Sequence, residues 1–215
     1  DGGYAEKVRV PAAQCVIIPE GVSFVEGAAS TDAGITAYRA LFSIGQAKEG
    51  TKLGIIGIGG LGQFALQMAL IKGCEVYATD VSPEARKLAE ELGANKVFDT
   101  ILDMKEAECD VIVDFAGFGQ TTADALEAVR AQGTVVIVGM GKLESNINTY
   151  LMITKEIKLL GSNGGSVEDL KGVYDCFSTG KMSPTLITIP FEEIDKGLEK
   201  LKNHEVKGRL VAVFE

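Results

Sequence analysis

Lys52-Leu53-Gly54-Ile55-Ile56-Gly57-Ile58-Gly59-Gly60-Leu61-Gly62 runs directly into Gln63-Phe64-Ala65-Leu66-Gln67-Met68-Ala69-Leu70-Ile71. The first part is a short apolar strand, the last an apolar helix, and a G-x-G-x-x-G turn joins them. Asp80 closes the next apolar run, about 20 residues on, where dinucleotide-binding folds place an acid on the ribose. Gly57 permits the sharp turn, Gly59 admits a pyrophosphate to the backbone, and Gly62 lets helix and strand pack closely. The N–H groups of Gly60 and Leu61 then face the phosphates at a helix N-terminus. A 2′-phosphate would meet the Asp80 carboxylate, so the expected cofactor is NAD rather than NADP.

Residues 53–71 carry no charge, which is the length of a membrane span. The crowd of glycines and the interruptions Gln63 and Gln67 favour strand, turn and buried helix instead. Outward from this unit, apolar runs at 52–56, 75–79, 96–98, 110–114, 134–138 and 157–160 alternate with helical stretches at 60–72, 83–92, 121–130 and 146–154. Short, continuous, Val- and Ile-rich strands are those covered on both faces. Ser82 followed by Pro83 marks a helix start, and Gly93 a stop. The fold class is α/β: a doubly wound, six-stranded parallel sheet in the order 3-2-1-4-5-6. The flanks differ. Residues 4–10 and 15–18 read as extended pieces, and 164–215 as helix, loop, helix and a last strand at 209–214.

With 215 residues, 46% of them apolar, a sizeable core is expected. A net charge of -9 disfavours nucleic acid and anionic membrane surfaces as partners. Cys15, Cys74, Cys109 and Cys176 lie far apart with no C-x-x-C pair, which excludes a zinc ribbon or a disulfide framework. Three sit in or beside apolar segments and read as buried free thiols, implying a reducing, cytoplasmic compartment. The opening Asp1-Gly2-Gly3 is not a signal peptide.

The chain resembles the C-terminal two-thirds of a medium-chain, zinc-dependent alcohol dehydrogenase. The similarity rests on Asp1-Gly2-Gly3-Tyr4-Ala5-Glu6, Thr31-Asp32-Ala33-Gly34-Ile35-Thr36-Ala37-Tyr38, the turn Gly57 to Leu61, Gly161-Ser162-Asn163-Gly164-Gly165, and Lys207-Gly208-Arg209. It implies an NAD-binding domain over 34–163, with 1–33 and 164–215 belonging to a GroES-like catalytic domain. It also implies hydride exchange between an alcohol and NAD, assisted by zinc. By the same resemblance Thr36 lies against the nicotinamide, Phe115 and Ala116 line the crevice, and Val138, Gly139 and Met140 hold the carboxamide. Asn163 adds a contact, and Arg209 binds the pyrophosphate.

Asp32 matches the third catalytic zinc ligand, usually Cys and in some members Asp; carboxylate oxygen is acceptable to zinc. Its alternative is an N-cap for a helix at 35–43. The family's other zinc ligands, a Cys and a His-Glu pair, lie upstream of the Asp1–Glu6 motif, so this chain is expected to supply the cofactor part. His204 reads as a solvated side chain, and Arg86 as either an adenine neighbour or a solvated helix residue. No catalytic base or nucleophile can be assembled. Two rival classes remain: a non-enzymatic NAD-binding module, and the zinc-free quinone or enoyl reductases, against whose NADPH preference Asp80 speaks. The resemblance implies a small alcohol or carbonyl compound as the substrate class. The sixth strand is an unprotected apolar edge, and the resemblance implies a homodimer or homotetramer formed through it.

Overall fold

A computed structural model describes residues 2–203 and 205–214. Six parallel strands form one sheet in the order β3-β2-β1-β4-β5-β6. They are β1 (Lys52–Ile56), β2 (Glu75–Thr79), β3 (Lys96–Phe98), β4 (Val111–Asp114), β5 (Thr134–Ile137) and β6 (Lys158–Gly161). This is the order expected from the sequence. Alternation along the strands sorts the core into two layers. Leu53, Ile55, Val76, Val113 and Val136 join one buried cluster. Ile56, Ile112 and Val135 join the other.

Helices cover both layers. On the first lie α3 (Gly62–Ile71), α4 (Pro83–Glu91) and α7 (Val167–Ser178). On the second lie α5 (Gln120–Ala128) and, between β3 and β4, a 3₁₀ segment Leu102–Ala107. There α6 (Thr149–Lys155) also packs through Met152. Ser82 caps α4 through its hydroxyl, with Pro83 as the first helical residue, and Gly93 turns away at φ 97°. No helix among the described residues is long and apolar enough to cross a membrane.

Residues 4–10 and 15–18, expected as extended pieces, run without helix or strand. Two sequence expectations fail on the flanks. The helix expected at 35–43 begins earlier: α1 (Phe24–Ala29), a π turn Ser30–Gly34, α2 (Ile35–Tyr38) and a second π turn Arg39–Ile44 follow one another. Ser23 caps this run in a capping box with Glu26. Asp32 therefore lies inside the helical run, and its N-cap reading is overturned. Finally, β7 (Leu186–Pro190) was missed. It pairs in parallel with β8 (Arg209–Val213), and α8 (Ile194–Lys202) lies between them in the chain. A run ending in proline beside Thr188 carries a weak strand signal.

The two glutamines that interrupt α3 have a structural use. Gln63 Oε1 accepts from the Thr185 N–H at 2.6 Å, and Gln67 Oε1 from the Ser183 N–H at 2.7 Å. Both side chains are buried, so these bonds satisfy groups that would otherwise be costly. They tie the 183–185 segment to α3. Arg209 N–H then donates to the Thr185 carbonyl at 3.0 Å, which brings β8 to the N-terminal end of α3.

Candidate functional site

The glycine turn adopts the geometry its spacing implies. Gly57 has φ 89°, a region closed to most side chains, and its N–H donates to the Thr79 carbonyl at 3.0 Å. A Cβ on Gly62 would overlap the Gly57 carbonyl, so the helix can start here only without a side chain. A Cβ on Gly59 would meet nothing within 4 Å, so that position faces open space. The N–H groups of Gly60 and Leu61 have no protein acceptor among the described residues. They stand at the positive end of α3, the arrangement that receives phosphate.

Asp80 sits at the end of β2, across the turn. Its Oδ2 accepts from the Ile58 N–H at 2.7 Å and its Oδ1 from the Ser82 N–H at 2.8 Å. The carboxylate therefore joins the β1 and β2 turns rigidly. A carboxylate accepts about four hydrogen bonds, so each oxygen keeps capacity for a ribose hydroxyl. Arg86 is not a freely solvated side chain. Its Nη1 donates to the Asp80 and Val81 carbonyls, and its Nη2 pairs with Asp99 at 3.3 Å.

Beyond β1 the chain order reverses, and β4 lies next to β1. Ligands of open α/β sheets bind at such a switch point. Asp114, fully buried at the end of β4, organises the loop there. Its Oδ1 accepts from the Ala116 and Gly117 N–H groups at 3.0 and 2.8 Å. Its Oδ2 accepts from the Thr121 and Thr122 hydroxyls at 2.7 and 2.9 Å. Its carbonyl takes the N–H groups of Val138 and Gly139. Phe115–Ala116 and Val138–Gly139 are thus held side by side. Sequence reasoning passed over Asp114, although an acid closing an otherwise apolar strand is a visible signal. Asp114→Ala should lower stability by about 3 kcal/mol or more, since four donors lose a buried charged acceptor. Urea denaturation measures this; a loss under about 1 kcal/mol would contradict the role.

A cleft of about 320 Å³ opens between Gly57, Asp80, Asp99, Ile101, Ala116 and Phe118. On the other side of the turn, Arg209 lies against Gly60: a Cβ there would stand 2.7 Å from its Cδ. The Arg209 guanidinium pairs with the exposed carboxylate of Asp32. Thr36, four residues further along the same helical run, is half-buried, while Met140 and Asn163 are exposed. The structure thus gathers the glycine turn, Asp80, Phe115, Ala116, Val138, Gly139, Met140 and Asn163 at the C-terminal ends of the parallel strands.

Residues 60–179 match the family of zinc-binding dehydrogenases. The chain belongs to that family. It is 33% identical to an alcohol dehydrogenase of Geobacillus stearothermophilus over 222 aligned residues, covering 98% of this chain and 64% of that protein. A second alcohol dehydrogenase of that organism is 34% identical over the same span. The chain spans less than two thirds of these relatives. Among solved structures, the alcohol dehydrogenase of Aeropyrum pernix superposes with a TM-score of 0.87 at 31% identity, covering 99% of this chain and 65% of that one. The acetophenone reductase of Geotrichum candidum, in complex with NAD, gives 0.82 at 32% identity, with coverages of 91% and 57%.

Members of a zinc-binding dehydrogenase family raise the question of the metal. Among the described residues no three His, Cys, Asp or Glu side chains converge as a metal would require, and Asp32 is engaged by Arg209. The described residues do not by themselves complete a zinc site. His204, expected to be solvated, lies outside the described residues. The three buried cysteines offer no nucleophile. Cys74, Cys109 and Cys176 are buried, as expected, and burial pushes their thiols up to about 11, 12 and 11. They stay protonated at neutral pH. Cys15 is exposed.

Proposed function

We propose that the chain is the dinucleotide-binding part of an NAD-dependent alcohol dehydrogenase acting on a small alcohol or carbonyl compound. One observation carries the reading: N–H groups at the start of α3, with no protein acceptor among the described residues, stand beside the Asp80 carboxylate at the β1–β4 switch point. Residues 34–163 form the cofactor domain, and 1–33 and 164–215 belong to the catalytic domain. The pyrophosphate lies over Gly59, Gly60 and Leu61 with Arg209 as its cation, and the adenosine ribose hydroxyls donate to Asp80. The nicotinamide end faces Thr36, Val138, Gly139, Met140 and Asn163. When bound, NAD supplies a hydride acceptor at its nicotinamide ring. The chain's own residues bind and orient that ring and leave one face toward the substrate. Asp32, freed from Arg209, is the one candidate zinc ligand.

Three buried cysteines that form no disulfide support a cytoplasmic location. Alcohol dehydrogenase relatives at 33–34% identity support the reaction class. Calorimetric titration of the 215-residue chain with NAD should show one site per chain. No heat and no competition with NADH at millimolar cofactor would overturn the reading.

Assembly follows from β6. Among the described residues it pairs only with β5, and Leu160 remains 37% exposed. An unpaired apolar edge invites a second copy of the chain. We expect sedimentation at tens of micromolar to give a dimer or tetramer, and Leu160→Lys to shift it toward monomer. A monomeric wild type would contradict this.

A further inference from the structure

The corner of the cleft beside Asp80 holds more charge than the ribose contact needs. Asp99 lines the same cleft from the end of β3, with its side chain 85% exposed. Arg86 reaches that corner from α4. Its Nη1 lies 2.8 Å from the Asp80 carbonyl oxygen, so the guanidinium is within one residue's reach of the Asp80 carboxylate. It does not bond that carboxylate, whose oxygens accept from the Ile58 and Ser82 N–H groups. Its Nη2 turns instead to Asp99. A guanidinium with free donors at this place would be a natural partner for a phosphate on the ribose.

We propose that Asp99 is a second determinant of cofactor choice, acting through Arg86. By engaging Arg86 it neutralises the cation that would attract a 2′-phosphate, and it adds its own negative field beside Asp80. NAD carries two ribose hydroxyls there and is indifferent to the pairing. NADP carries a phosphate of about two negative charges and meets Asp80, Asp99 and an Arg86 already occupied. Asp99 is thus a positioning residue, with no contact to the reacting atoms. The inference rests on the proposed placement of the adenosine ribose at Asp80.

Asp99 is exposed and its pair is a surface pair, so Asp99→Asn should fold as the wild type does. Dissociation constants for NAD and NADP are measured at low ionic strength, where screening is weak. Asp99→Asn should tighten NADP by about 3- to 10-fold while leaving NAD within about 2-fold, a range suited to one partly exposed charge. In Asp99→Asn/Arg86→Gln the gain for NADP should largely disappear. Where wild-type NADP binding is too weak to measure, the same comparison is made in an Asp80→Asn background, which keeps an acceptor for the turn. An unchanged ratio of the two constants in Asp99→Asn overturns the proposal. So does an equal gain with Arg86→Gln present, which would mean that Arg86 plays no part. Failure of the wild type to bind either dinucleotide would instead overturn the proposed function.

Discussion

Valine in place of Gly62 should destabilise the protein by about 3 kcal/mol or more and abolish measurable NAD binding. The physical reason is steric. A Cβ there overlaps the Gly57 carbonyl oxygen, and neither atom can yield alone, because Gly57 is held by Thr79 and flanked by Ala116. Relief requires α3 to retreat from β1, which opens the contact between the first core layer and the sheet. Gly59→Ala separates fold from function. Its Cβ meets no protein atom within 4 Å, so thermal stability should stay near the wild-type value. The methyl group would project into the space assigned to the pyrophosphate, and NAD affinity should fall at least tenfold. If Gly62→Val melts and binds as the wild type does, the turn is not built as described.

The second large effect belongs to Arg209. Arg209→Ala removes a charge-assisted contact worth about 1.5–3 kcal/mol, so NAD affinity should fall about 10- to 100-fold. ADP-ribose should lose as much, since it keeps the pyrophosphate and lacks the nicotinamide. Asp32→Ala should leave NAD affinity within a few-fold, because it removes Arg209's partner and not its charge. Calorimetry on both variants decides the matter. Equal affinity in wild type and Arg209→Ala would remove Arg209 from the phosphate site.

The sheet order was legible because each strand is a short apolar run and most crossovers are helices, one of them marked at both ends by Ser82, Pro83 and Gly93. The cofactor side of the site was legible for a related reason: the glycines and Asp80 are fixed by local backbone geometry. What escaped depends on long-range contacts or on conflicting local signals. Ser23 and Glu26 display a capping box, yet Gly27 and Gly34 lower helix propensity and hid the helical run that starts there. β7 carries β-branched Ile187, Thr188 and Ile189, but it is short, ends in Pro190 and pairs only with the distant β8, so the run reads as loop. The pair of Arg209 with Asp32 joins positions 177 apart, and no local pattern announces it. Asp114 looked like a strand end, and only the folded loop shows the four donors that converge on its carboxylate.

The central claim is that a dinucleotide lies along the C-terminal edge of this sheet, over the glycine turn and against Asp80. Amide hydrogen exchange with and without saturating NAD tests it directly, because protection reports which backbone groups the cofactor covers. Peptides spanning 57–62 should gain the strongest protection, with smaller gains at 80–82, 115–117 and 138–140. Those covering α8 and β7 should be unchanged. Protection absent from 57–62 while NAD is demonstrably bound would contradict the account.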